Sequence, residues 1–229
     1  MKYMKISLCM MTATLLLSGC VVPFSIDPAY LQTPPFPPAY LKAVASRTPQ
    51  VVYRLDAQRY VTLENYSRCR AGALYYNDTA KGIRTQVEKN GGVAYEGKII
   101  NSDPSGNNLV IPSHAAYCEK SCPAYLPYST DGGRSFKFYR YTENINGQNS
   151  SKDYMMAATK DQIMVDVVNY PRGRADYGDL PNVASYRLTL PSTVWTHSGS
   201  RSLIDLPLPP SGEDRYTCDD KSLPKFPDY

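Results

Sequence analysis

Residues 128–139, YSTDGGRSFKFY, hold the group of side chains that most invites a chemical interpretation. In the sequence, the carboxylate of Asp131 lies between the hydroxyls of Ser129 and Ser135. A carboxylate could take part in sugar cleavage, because glycoside hydrolases cleave sugars with paired carboxylates. The same segment places Gly133 and Phe136 at fixed offsets, which is typical of a tight hairpin turn. In such a turn the polar side chains cap backbone donors and the glycine takes a conformation that a β-carbon would oppose.

The spacing Ser129-x-Asp131-x-Gly133-x-Ser135-Phe136 resembles the Asp-box of sialidase propellers, where it lies away from the active site. A sialidase-like enzyme would carry several such boxes, an arginine cluster for the substrate carboxylate and a tyrosine nucleophile. This sequence has one box, no two carboxylates stand out as a pair, and the chain is too short for a closed propeller of that kind. We therefore interpret the box as a structural hairpin.

The sequence contains few residues that other catalytic systems could use. There is no G-x-S-x-G elbow and no Gly-rich phosphate loop. The chain has two histidines, His114 and His197, and the THSGS segment around His197 is more typical of a surface loop than of a catalytic triad. Its 25 Lys and Arg against 21 Asp and Glu give no dominant basic face, so nucleic acid is excluded as a partner. The sequence predicts a non-enzymatic protein with no catalytic residue, metal or cofactor.

The N-terminus has the layout of a cleaved secretory signal: Lys2 and Lys5 precede an apolar run, residues 6–17, that is too short to span a membrane. The run ends in LSGC, which resembles the lipobox of bacterial lipoproteins. Residues 1–19 are thus predicted to be cleaved off. Cys20 is then predicted to carry the lipid, with palmitate among its acyl chains. An ordinary signal peptide that ends in cysteine is the alternative. Because Val21 is not aspartate, the lipoprotein sorting rule predicts the outer membrane, with the folded part facing the periplasm.

Cleavage and lipidation would leave four cysteines: Cys69, Cys118, Cys122 and Cys218. An even number in an oxidising compartment indicates two disulfides, for which three connectivities exist. The preferred one pairs Cys118 with Cys122 and Cys69 with Cys218, because the second bond would tie the C-terminal tail to the body. A zinc site that includes His114 is the alternative, although two histidines leave few ligand sets.

The rest of the chain divides into a tether and one β domain. Residues 20–49 are Pro-rich, which predicts an extended, semi-rigid spacer. From residue 51 short β-type runs alternate with turn signals, as in RYVTLE, GALYYND, FKFYRYTE and QIMVDVV. No stretch predicts an amphipathic helix. Residues 50–229 are therefore predicted to form one all-β domain of antiparallel sheets, a β-sandwich or a partial propeller, with an irregular C-terminal tail.

Taken in order, these segments resemble the immunity lipoproteins that protect bacteria against phospholipase effectors of the type VI secretion system. The resemblance spans roughly residues 49–170. Its motifs are the lipobox at Cys20, PQVVYRLDAQRYVTLENYSRC, GALYYNDTAKGIRTQV, the single Asp-box, FKFYRYT and DQIMVDVV. It implies a periplasmic inhibitor that binds a lipase toxin delivered by a neighbouring cell.

The toxin-binding surface is predicted in the loop-like segment NYPRGRADYGDLPN, residues 169–182. Its candidate contact residues are Arg172, Arg174, Asp176, Tyr177 and Asp179. Arginine and tyrosine are favoured anchors at protein interfaces, whereas a solvated surface loop is the alternative. Two other functions stay open at this point: a structural envelope lipoprotein, and a carbohydrate-binding or sialidase-like protein.

Overall fold

The computed structural model describes residues 42–44, 46–69, 71–89, 91–113, 122–145, 151–167, 185–198 and 206–219. These residues all lie in one compact unit, and they confirm the all-β prediction. Within the described ranges, helical structure is limited to residues 42–44 and to a 3-10 turn at Ser151–Asp153. No helix of the described part is long and apolar enough to cross a membrane.

The described strands are, in chain order, β1 (Gln50–Arg54), β2 (Arg59–Arg68), β3 (Ala71–Asp78), β4 (Ile83–Glu88), β5 (Lys98–Asn101), β6 (Leu109–Val110), β7 (Cys122–Ser129), β8 (Lys137–Ile145), β9 (Tyr154–Ala158), β10 (Gln162–Val167), β11 (Ser185–Thr189) and β12 (Trp195–Ser198). They form a first sheet of order β1-β2-β3-β4, a second of order β12-β11-β10-β9-β5 and a third of order β6-β7-β8. Buried side chains from all three sheets meet in one hydrophobic core.

The first sheet follows directly from the alternation of its sequence. In β2 the side chains of Val61 and Leu63 are fully buried, while Tyr60 and Thr62 lie on the opposite side, as a period of two requires. The turn before β2 is closed by Asp56, whose carboxylate accepts hydrogen bonds from the backbone N–H groups of Gln58 and Arg59 at 2.8 Å each. Local sequence therefore sets both the strand and its entry.

In the second sheet, strands β5 and β9 are buried on both faces. Ile99 and Met156 lie in the main core, and Ile100 and Met155 lie in a smaller cluster on the other side. Its strand pairs are antiparallel apart from β5 and β9, which run parallel. A parallel pair needs a long crossover connection, and here the chain from β5 to β9 includes the whole third sheet.

In the third sheet, the sequence did not predict a strand over most of β7. The Asp-box predicted the hairpin end of β7, but the preceding residues include Pro123 and Pro127, and proline lacks the N–H that a strand ladder needs. The strand accommodates both prolines. The register with β8 shifts across Pro123, and Pro127 lies where pairing with β6 ends, its carbonyl accepting the last bond, from Ile111 N–H at 3.1 Å.

A buried amide joins strand β5 of the second sheet to strand β6 of the third. The side chain of Asn101, at the end of β5, donates to the carbonyl oxygen of Val110 at 2.9 Å and accepts from the N–H of Val110 at 2.8 Å. Asn101 thus replaces a peptide group of a neighbouring strand. Both backbone groups of Val110 would otherwise be buried without a partner, which is costly.

The C-terminal residues 206–219 lie across the edges of the sheets without forming a strand. On the β1 side, Ser211 N–H donates to Leu55 O at 3.0 Å and Thr217 N–H donates to Val52 O at 2.8 Å. On the β5 side, the carbonyl of Asp214 accepts from Ile99 N–H at 2.8 Å. We call residues 206–219 the tail strap, because they hold the first and second sheets together.

A disulfide fixes the end of the tail strap. Cys218 bonds to Cys69, which follows β2, across 149 residues of sequence. This is the pairing that the sequence favoured, and the disulfide-tied β domain is confirmed. Cys122 begins β7, and Cys118 lies outside the described residues, so the predicted second bond stays a prediction.

We expect Cys218→Ser to lower the free energy of unfolding by about 2–5 kcal/mol, because a native disulfide that closes so long a loop strongly constrains the unfolded chain. Urea denaturation of the oxidised protein measures the change. Cys69→Ser should lower the free energy of unfolding by the same amount. The double variant should lower it no more than either single variant does. Costs that add in the double variant would mean that the two cysteines act separately.

Candidate functional site

The Asp-box turn between β7 and β8 is held by its own side chains. The Ser129 hydroxyl donates to Asp131 Oδ1 at 2.7 Å and accepts from the N–H of Gly133 at 2.9 Å. Asp131 Oδ1 also accepts from the N–H of Ser135 at 3.0 Å, and Asp131 Oδ2 accepts from the Ser135 hydroxyl. Both carboxylate oxygens are thus used inside the turn.

The electrostatics of Asp131 match a cap and not a catalytic acid. Burial by itself would raise the pKa of the carboxyl, but the hydrogen bonds from Ser135 and Ser129 outweigh it and hold the pKa below the ordinary value of 3.8. The group is therefore ionised at neutral pH and has no proton to give to a leaving group.

Beyond its cap, the Asp-box packs the third sheet against the first. Gly133 has φ of 83°, and a β-carbon there would overlap the ring of Tyr76, a fully buried residue of β3. Phe136 meets the same ring edge-on, with ring centroids 6.2 Å apart. Gly133 and Phe136 together fit around Tyr76, so the turn works as an inter-sheet contact.

Two further turns lie beside the Asp-box. Gly132 N–H donates to the carbonyl of Asn107 at 2.9 Å, which joins the Asp-box to the turn at residues 103–108. The side-chain amide of Asn108 donates to the carbonyls of Thr159 and Lys160 at 2.9 and 2.8 Å, which adds the turn between β9 and β10. Three turns from the second and third sheets are thereby fixed at one end of the molecule.

These turns and the one between β11 and β12 enclose a groove of about 440 Å³. It is lined by Ser105, Asn107, Asn108, Tyr128, Thr130, Lys137, Lys160, Leu188, Leu190, Pro191, Ser192 and Thr193. Lys137 and Lys160 have exposed side chains with no carboxylate at ion-pair distance among the described residues. The lining thus combines two ammonium groups with hydroxyls, amides and apolar side chains.

The groove was not predicted from the sequence. Its residues come from four turns and the strand ends beside them, and no motif connects them. The predicted lipid-attachment residue Cys20 and the predicted toxin-binding residues lie outside the described residues, the latter being Arg172, Arg174, Asp176, Tyr177 and Asp179. Their proposed roles therefore stay predictions. Across the described ranges, no three His, Cys, Asp or Glu side chains are grouped so that they could hold a metal ion.

Comparison with known proteins gives one strong match. The model of a family described as T6SS Tli3 immunity protein matches residues 45–167, which is more than half of the chain. The matched region includes the whole first and third sheets together with β5, β9 and β10. No curated protein is significantly similar to the chain.

Among solved structures the chain is similar to TolB from Acinetobacter baumannii, with 13% sequence identity and a TM-score of 0.35. The similarity covers 66% of this chain and 32% of the TolB chain, so this chain spans about a third of that protein. A similarity of this strength carries no argument about fold or function.

The contact between the Asp-box and Tyr76 is tested by Gly133→Ala, with Gly132→Ala as its matched control. Both glycines have positive φ, 83° and 74°, so alanine strains the backbone at both. Only at Gly133 does the new β-carbon meet the buried ring, whereas at Gly132 the nearest atom belongs to the Arg134 side chain at 3.4 Å. We expect Gly133→Ala to lower the free energy of unfolding, measured by urea denaturation, by about 1–3 kcal/mol more than Gly132→Ala does. Equal costs would show that the turn does not hold the first sheet.

Proposed function

We propose that this chain, which belongs to the T6SS Tli3 immunity protein family, binds and neutralises a phospholipase effector of the type VI secretion system in the periplasm. The family match over residues 45–167 is the observation that carries the proposal. It makes the partner a secreted effector protein. The phospholipase class of that effector is our inference from the lipobox and from the order of the motifs that follow it.

Neutralisation by binding requires a surface that is ordered before the partner arrives, because ordering loops on association weakens a complex. The described body has that property. Its sheets share one core, the tail strap bonds to two sheet edges, and a disulfide closes the chain. A stoichiometric inhibitor of this kind needs no chemistry of its own, so we infer that the protein is not an enzyme.

The proposed anchor places the inhibitor where a phospholipase does damage. Acylation of Cys20 would hold the protein at the outer membrane, and several acyl chains on one residue make such attachment durable. The Pro-rich residues 20–49 would keep the β domain away from the lipid surface while leaving it within reach of a toxin that must bind that surface.

The proposed function predicts protection. A strain that lacks this gene should lyse when it meets kin with an active type VI secretion system, and the plasmid-borne gene should restore survival. Attackers whose secretion system is disabled are the control. The purified chain should bind the responsible lipase with nanomolar or tighter affinity, about −12 kcal/mol. If the unprotected strain survives and pull-downs recover no lipase, the structural-lipoprotein interpretation would replace the proposed immunity function.

The proposed anchor predicts labelling of Cys20. Wild-type protein grown with a fatty-acid analogue should carry the label, and Cys20→Ser should not. Cys9→Ser is the matched control, since it changes a cysteine within the segment predicted to be removed and should keep the label. Equal labelling of wild type and Cys20→Ser would disprove lipidation at this residue without touching the inhibitory function.

A further inference from the structure

The outer side of the first sheet carries two rows of polar and aromatic residues. The strand register aligns Arg54, Tyr60, Asn77 and Arg84 in one row and Thr62, Tyr75 and Gln86 in the next. The inner side of the same strands is core, since Val61 and Tyr76 are fully buried. We call the outer surface formed by Arg54, Tyr60, Tyr75 and Arg84, with Thr62 and Asn77 beneath, the Tyr–Arg face.

Each arginine of the Tyr–Arg face lies over a tyrosine ring. The guanidinium of Arg84 is 4.0 Å from the ring centroid of Tyr75, and that of Arg54 is 5.7 Å from the ring centroid of Tyr60. Such stacking is favourable and fixes the plane of the guanidinium. Two long side chains that would otherwise be free in water are thereby partly ordered.

A hydrogen-bond chain orders Arg84 further. Its Nη2 donates to Glu64 Oε2 at 2.7 Å, while Glu64 Oε1 accepts from the Thr62 hydroxyl at 2.9 Å. Thr62 in turn accepts from the side-chain amide of Asn77 at 3.2 Å. Thr62 and Asn77 are buried, at 6% and 8% exposure, so the chain has a firm base. An interface built on it loses little side-chain entropy on binding.

The two arginines keep binding capacity for a partner. The Arg84 side chain is 53% exposed and Arg54 is exposed as well. Apart from the bond of Arg84 to Glu64, no side chain or carbonyl of the described residues accepts a hydrogen bond from either guanidinium. Guanidinium groups prefer carboxylates, which they bind through two parallel N–H groups. The matching partner surface therefore presents carboxylates.

The extent of the family match separates this face from the groove. Residues 45–167 include every residue of the Tyr–Arg face, but the groove wall at residues 188–193 lies beyond them. An activity common to the family has to reside in the part of the chain that the family has in common. That part contains the whole face and an incomplete groove.

We propose that the Tyr–Arg face is the surface that binds the effector, through carboxylates of the effector that pair with Arg54 and Arg84. The proposal rests on the proposed function, because it names the contact surface for the same inhibition. It also assigns the contact to the first sheet and not to the segment 169–182 that the sequence favoured, which lies outside the described residues. Arginine and tyrosine are the residue types that most often dominate the binding energy of protein interfaces.

The test compares two double variants of the full chain that each remove two exposed positive charges. Arg54→Ala with Arg84→Ala alters the Tyr–Arg face, and Lys137→Ala with Lys160→Ala alters the groove. The probe is the purified effector whose deletion from the attacker abolishes killing. We expect the face variant to raise Kd at least about tenfold and to lose protection, while the groove variant binds and protects like wild type. Equal thermal unfolding of both variants checks the fold.

Photo-crosslinking supplies a second measurement that leaves the arginines in place. Gln86→p-benzoylphenylalanine, next to Tyr75 on the face, should crosslink to the effector, and Lys160→p-benzoylphenylalanine in the groove should not. If wild type protects and the face variant binds equally well, or if only the groove position crosslinks, the Tyr–Arg face is not the contact while the immunity function stands. If wild type itself neither protects nor binds, the proposed function fails first.

Discussion

The arrangement of the sheets depends on the tail strap. An edge strand presents unpaired N–H and carbonyl groups, which are costly to bury and prone to pair with other chains. Residues 206–219 bond to the edge strand of the first sheet at Val52 and to the edge strand of the second at Ile99. The side chain of Tyr216 reaches the third sheet as well, because its hydroxyl donates to the carbonyl of Pro112, just beyond β6, at 2.7 Å. One irregular segment thus contacts all three sheets, and the bond from Cys218 to Cys69 keeps it there.

The family match and the tail strap lie in different parts of the chain. The region that defines the family, residues 45–167, holds the Tyr–Arg face. The residues after it supply β11, β12 and the tail strap, which complete the second sheet and cover its far edge. The tail strap also holds the edge of the first sheet, where both backbone groups of Arg54 bond to its side chains.

The Asp-box, a motif known from sugar-cleaving enzymes, has a structural role in this protein. Its serine and aspartate satisfy backbone donors of one turn, and its glycine and phenylalanine fit around Tyr76 of another sheet. Every part of the motif has a packing or capping partner. The hydrogen bonds that make Asp131 a good cap also lower its pKa, which removes it from acid catalysis. The structural role of this carboxylate therefore leaves it no proton to donate at neutral pH.

The sequence by itself determined the features that depend on a few neighbouring residues. The alternation in RYVTLE places Val61 and Leu63 inside, and the Asp-box spacing is enough to predict a capped hairpin. Alternation gives the period of a strand but not always its inner side: in FKFYRYT, Phe138 is 53% exposed while Tyr141 is 5% exposed. Strand β7 escaped prediction because its prolines are tolerated only where a bulge and the end of β6 remove the need for their N–H groups.

The tertiary structure alone decided the groove, the tail strap and the Tyr–Arg face. Arg54, Tyr60, Asn77 and Arg84 belong to four strands, and they form a row only because three strand pairings share one register. The sequence favoured the pairing of Cys69 with Cys218 but not the path of the tail across β1 and β5. Local patterns arise from interactions between residues near in sequence, whereas these surfaces arise from the packing of distant segments, which no short stretch of the chain encodes.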